Sequence, residues 1–96
     1  MKVLLNKNED VLNVSLEGRL DTITAPELEE SLKSNLSGVK SVVIDCEQLV
    51  YVSSAGLRVL LSLNKKFKNA LTLVNVQELV MEVFEVTGFQ DILNIK

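Results

Sequence analysis

The sequence predicts an α/β domain: a mostly parallel sheet opening with an N-terminal β-hairpin, helices packed on the sheet. Three observations predict it. Apolar and polar residues alternate from Val11 to Glu17, the period of a half-buried strand. Two short apolar runs, Val42-Val43-Ile44 and Leu71-Thr72-Leu73-Val74, read as central strands. Before, between and after these runs, leucines and valines recur at helical spacing. Strands alternating with helices imply parallel neighbours joined by right-handed crossovers. The expected order is ββαβαβα(β), and the 96 residues make one domain.

Each element has a local reason. Residues 3–6 form a short strand, and Asn6-Lys7-Asn8-Glu9-Asp10 is a turn-rich break. The strand Val11–Glu17 completes the hairpin. Gly18-Arg19-Leu20-Asp21 then leaves the strand. Thr24-Ala25-Pro26-Glu27 is a helix start, with Thr24 able to cap, Glu27 completing a capping box and Pro26 suited to the first turn. Leu28, Leu32 and Leu36 share one face of that helix, and Ser37-Gly38 ends it. The run Val42–Ile44 is expected to be covered on both faces.

A second helix is expected from about Ser54 to Phe67. Its buried side carries Leu57, Leu60, Leu61, Asn64 and Phe67, while Arg58, Ser62, Lys65 and Lys66 face water. The third helix carries Val76, Leu79, Val80, Val83 and Phe84 opposite Glu78, Glu82 and Glu85, with Gly88 closing it. The tail Asp91–Ile95 reads equally as an edge strand or half a helical turn.

Composition narrows the function. Apolar residues make up 47% of the chain, enough for one core without disulfides or metals. The net charge is −3, which gives no pull toward nucleic acid or an anionic membrane. Lys65-Lys66-Phe67-Lys68 is the one basic cluster, and it suits the negative end of a helix dipole. The single cysteine, Cys46, sits in an apolar stretch and reads as a buried structural thiol. The first ten residues turn polar too soon for a signal peptide or a membrane span. The expected location is cytoplasmic.

In an open parallel sheet, functional groups gather beyond the carboxyl ends of the strands. Asp21, Thr22 and Thr24 follow the second strand. Asp45, Glu47, Ser53 and Ser54 are placed after the third, and Asn75 and Gln77 after the fourth. The chain has no histidine, so Ser-His-Asp and Cys-His catalysis are excluded. Its four glycines form no phosphate-cradling loop. Asp21 and Asp45 suit turn and strand-end roles better than a shared metal. No catalytic residue, metal or cofactor is expected. The serine pair at a helix start has two uses. Either Ser53 or Ser54 can cap the helix. A hydroxyl there also suits phosphate, because the dipole and unpaired N–H groups favour an anion. Asp21 is expected near Ser54, exposed in a loop, with a part in binding and none in folding.

Val42-Val43-Ile44-Asp45, followed by Tyr51-Val52-Ser53-Ser54-Ala55-Gly56-Leu57, resembles the signature of the STAS domain. Gly18-Arg19-Leu20-Asp21 with Thr24-Ala25-Pro26-Glu27-Leu28 matches the family's other marker. Within the family the chain is most similar to bacterial anti-sigma factor antagonists. That resemblance implies a STAS-type fold and a protein-binding switch, not an enzyme. The unphosphorylated protein would bind an anti-sigma factor that is also a serine kinase, freeing a sigma factor for transcription. Phosphorylation of Ser54, or alternatively Ser53, would release it, and a PP2C-type phosphatase would reset it. Asp21, Thr24, Ser53, Ser54 and Gly56 fall where the family binds its partner. A monomer or weak dimer is expected. Other uses of the same domain are a scaffold subunit of a larger signalling assembly and a nucleotide- or small-anion-binding module. The sequence departs from the family's commonest form at Ser53, where Asp is usual, and at Ala55, where Ser is frequent.

Overall fold

The computed structural model describes residues 1–96, the side chain of Asn69 excepted. Five strands form one sheet in the order β1-β2-β3-β4-β5. β1 (Lys2–Asn8) pairs antiparallel with β2 (Val11–Leu20); β3 (Ser41–Val52), β4 (Leu71–Val74) and β5 (Asn94–Ile95) then add in parallel. Three helices intervene: α1 (Thr24–Lys33), α2 (Ser54–Phe67) and α3 (Glu78–Thr87). The tail resolves the open alternative both ways. A short 3₁₀ turn, Phe89–Asp91, precedes the two-residue strand β5.

The hairpin is tighter and longer than the polar run Asn6–Asp10 suggested. β1 continues to Asn8, which pairs with Val11, so only Glu9 and Asp10 turn. Glu9 takes the positive φ that the tight connection requires, +58°.

Because the strand order never reverses, right-handed crossovers place every helix on the same face. Burial follows the register. Leu12, Val42 and Leu71 align across the sheet and are buried, as are Val14, Ile44 and Leu73 one step along. Their out-of-phase neighbours, Asn13, Val43, Thr72, Ser15, Asp45 and Val74, are half-buried or exposed. The central strands are thus covered on one face, not two. β-Branched residues such as Val43 stand on the helix-free side because they suit the pleated backbone itself.

The helix layer closes the core with Leu28, Leu32, Leu57, Leu60, Val80 and Phe84. α2 buries a wider arc than Leu57, Leu60, Leu61, Asn64 and Phe67 alone. Val59 and Leu63 are also buried, while Leu61, Asn64 and Phe67 are only partly covered. α3 buries less than expected. Val80 and Phe84 reach the core, but Leu79 is 68% exposed. Cys46 is buried in the sheet, and burial with the nearby Asp45 charge pushes its thiol up to about 12.

Two expected outcomes follow. Leu60→Ala removes a core side chain and costs about 2–5 kcal/mol, whereas Leu79→Ala stays within about 0.5 kcal/mol; urea unfolding of the two variants checks this. Cys46 is expected to stay unreactive toward a disulfide reagent in the native protein at mildly alkaline pH. It reacts on unfolding, because only the exposed thiolate is nucleophilic.

Candidate functional site

The site is built at the far ends of β2 and β3, beyond the other strands. β3 is much longer than Val42–Ile44. It runs on past Asp45 to Val52, and its register against β2 shifts between Ser15 and Glu17 and again between Gly18 and Arg19. Each shift gives β3 one residue more than β2, as in a bulge, which bends and re-aims the strand. β2 also runs further than Glu17, through Gly18 at φ +107°, to Leu20. The two strands end together: Leu20 pairs with Val52, and the Leu20 carbonyl accepts the Ser53 N–H at 2.8 Å. Asp21 and Ser53 therefore leave the sheet side by side.

Asp45 and Glu47 do not reach this edge, because β3 continues beyond them. The Asp45 carboxylate accepts from the Glu47 N–H at 3.0 Å and from Asn75 Nδ2 at 3.2 Å. Gln77 Nε2 donates to the Glu47 carbonyl. Asn75 and Gln77 thus tie the β4–α3 turn to the first bulge and take no place beside the serines.

The serines divide the two roles. Ser53 is extended, at φ −97° and ψ 176°, and its Oγ accepts from the Gly56 N–H at 3.3 Å. Its carbonyl accepts the Leu57 N–H at 2.9 Å. Ser53 is the helix cap. Ser54 is the first residue of α2, and it is exposed. The first turn of α2 holds no acidic residue. Among the described residues the N–H groups of Ser54 and Ala55 find no protein acceptor.

Gly56, expected among the partner-facing residues, is buried at the start of α2. A Cβ there would stand 2.7 Å from Leu20 Cγ and 2.9 Å from Val52 Cγ2. Its part is to let the helix start press onto the strand ends.

Asp21 has a structural role that the loop reading missed. Its Oδ1 accepts from the N–H groups of Ile23 and Thr24, both at 3.0 Å, and its carbonyl accepts the first helical N–H, of Ala25, at 2.8 Å. Asp21 therefore caps α1, in place of the Thr24 and Glu27 box. Thr24 lies inside the first turn; its Oγ1 accepts from the Asp21 N–H at 2.8 Å and donates to the Arg19 carbonyl at 2.7 Å. The Thr24 N–H chiefly, then the Ile23 N–H and the Arg19 guanidinium, hold the Asp21 carboxyl below the usual carboxylate range.

The ends of β2 and β3 and the turn after β2 carry exposed apolar groups that the sequence reading did not single out. Ile23 is 78% exposed on the Asp21 turn. Val50 and Tyr51 are exposed on β3, and the Arg19 guanidinium stacks 4.1 Å from the Tyr51 ring centre. Ile23 was detectable, being an apolar residue between two threonines in a loop. Tyr51 was not, because the bulges that turn it outward leave no periodic trace.

The family model of the STAS domain matches residues 2–96. The chain belongs to the STAS family. BtrV of Bordetella bronchiseptica is 35% identical over 99% of this chain and 85% of its own length. The anti-sigma-B factor antagonist of Bacillus subtilis is 30% identical over 99% of this chain and 90% of its length. The fold is that of the anti-sigma factor antagonist SpoIIAA in its unphosphorylated form. That structure superposes with a TM-score of 0.77 at 16% identity, over 99% of this chain and 87% of the other. In this STAS domain the two family motifs are the two strand ends that meet at Leu20 and Val52.

Gly56→Ala is expected to cost about 1–3 kcal/mol through overpacking against Leu20 and Val52, with the helix content retained in circular dichroism. For Asp21 the acceptor atom matters more than the charge at neutral pH. Asp21→Ala lowers the urea midpoint, while Asp21→Asn, which keeps Oδ1, stays closer to the parent. The folded-state pKa is depressed, so the carboxylate stabilises above its unfolded pKa and loses that contribution as pH falls through the folded value. The parent therefore gains stability relative to Asp21→Asn as pH rises through the acid range, measured by unfolding at stepped pH.

Proposed function

We propose that this chain is an anti-sigma factor antagonist, switched by phosphorylation of Ser54. Unphosphorylated, it binds an anti-sigma factor that is also a serine kinase and so frees a sigma factor. Phosphate on Ser54 releases the partner, and a PP2C-type phosphatase restores the hydroxyl. The reading takes the role from the relatives named above and the acceptor from the geometry of the two serines.

The observation that carries it is the division of labour between Ser53 and Ser54. The Ser53 hydroxyl is occupied in capping and half-buried. Ser54 projects from the first turn, exposed, where a kinase can reach it. The strand ends and the helix start suit both states. Ile23, Val50 and Tyr51 give a partner apolar surface to cover. The unpaired N–H groups and dipole of the α2 start favour an anion, so the modified form is not strained. A phosphoserine carries about −1.5 to −2 charges. A partner surface fitted to a neutral hydroxyl would have to desolvate that charge, at a cost of several kcal/mol. Asp21 and Thr24 belong to the same surface, with Asp21 shaping the turn that displays Ile23.

The strand order supports a protein switch over a nucleotide-binding module. It runs one way across the sheet and offers no reversal point where a crevice opens for a nucleotide.

Incubation with the cognate kinase and ATP, followed by mass-spectrometric mapping, is expected to find phosphate on Ser54. Phosphate on Ser53 alone would move the acceptor by one residue, and none on either serine with an active kinase would end the switch model. In binding assays Ser54→Ala should bind and resist release, and Ser54→Asp should bind weakly with an unchanged fold.

A further inference from the structure

We propose that Arg58 is the cation that receives the phosphate on Ser54, closing a one-turn pair along the outer face of α2. The inference rests on Ser54 being the acceptor and adds what the modified surface looks like. Ser54 and Arg58 are four residues apart in an unbroken helix, Ser54–Phe67, and both are exposed. That spacing sets Cβ atoms about 5–6 Å apart on one face, within reach of an arginine side chain. The order also suits the helix, with the anion at its N-terminal side and the cation a turn later.

The chain has two arginines, and their situations differ. Arg19 is already placed: its guanidinium lies over Tyr51, and its Nε is 3.9 Å from the Asp21 carboxylate. Arg58, among the described residues, takes part in no ion pair or hydrogen bond. The first turn of α2 contributes no carboxylate to compete for it. Asp21, which leaves the sheet beside Ser53, is held by its own turn and by Arg19, and Glu29 of α1, the helix packed against α2, shares its cleft with Ser62 and Lys66. A planar guanidinium can grip two phosphate oxygens at once.

The consequence concerns release. A phosphate paired with Arg58 is drawn onto the helix and partly neutralised within the chain. It is then less available to lysines or arginines of the partner, which would otherwise capture the modified form.

The test installs phosphoserine at position 54 during translation, so it needs no kinase. Phosphorus NMR follows the second ionisation of the phosphate in the parent chain, Arg58→Gln, Arg58→Lys and Lys66→Gln. The parent midpoint is expected about 0.3 pH units below that of Arg58→Gln, since a neighbouring cation favours the dianion. Arg58→Lys should recover part of the shift and Lys66→Gln all of it, and the difference should fade at high salt. The Arg58 Nε–H resonance should move with the same midpoint. Equal midpoints in the parent and Arg58→Gln, with native amide spectra, would overturn the proposal. The acceptor assignment fails separately, by kinase mapping. Phosphate mapped to Ser53 instead would remove the Arg58 pairing from the natural switch.

Discussion

Leu20 is the residue on which the site depends. Its carbonyl accepts the Ser53 N–H, which stops β2 and β3 at the same point. Its side chain is fully buried and lies where a Cβ on Gly56 would collide. The next residue, Asp21, caps α1. One buried leucine thus fixes the starts of two helices and the turn between strand and helix. The starts of α1 and α2 are set by backbone and core contacts, so the exposed side chains around them sit on a rigid base. The absence of a Cβ at position 56 permits that geometry, so the glycine of the Ser-Ala-Gly-Leu motif is a packing requirement.

Under the proposed switch, the two serines let one helix start serve structure and signalling together. A cap hydroxyl must point at the backbone, and a modifiable hydroxyl must point at solvent. Adjacent residues meet both needs because the cap is extended and the next residue is helical. Phosphate on the capping serine would load the very oxygen that accepts the Gly56 N–H. Phosphate on Ser54 leaves that bond untouched and meets unpaired N–H groups instead. A switch that keeps its fold is therefore consistent with the outer serine as acceptor. Gly56, buried against Leu20 and Val52, lets the helix start that carries the pair sit close on the strand ends.

Much of this was legible in the sequence, and the exceptions have physical causes. The element order and the start of α2 followed from periodicity and cap residues, and the pairing of the Asp21 turn with the serine turn followed from their shared place beyond the strand ends. The length of β3 did not, because two register shifts break its alternation between Cys46 and Val50. The expectation that Asp45 and Glu47 stand at the site's edge failed for the same reason. The capping box at Thr24 and Glu27 was a sound local pattern. It lost to Asp21, because the ladder to Ser53 sets the frame in which α1 begins. Coverage of the sheet on both faces was read from β-branched composition, whereas the strand order decides it, and order is a tertiary property. The exposure of Leu79 belongs to the same class: helical spacing gives a face, but packing decides how much of that face is covered.

The central claim is that the site is preformed and that phosphate changes its surface charge without remodelling the domain. Backbone amide NMR of the phosphorylated and unphosphorylated chain tests this most directly. The account predicts shifts confined to the Asp21–Thr24 turn and the first turn of α2, with the amides of Ile44 and Leu73 unmoved. Changes spread through the central strands, or loss of the bonded Gly56 amide signature, would contradict it.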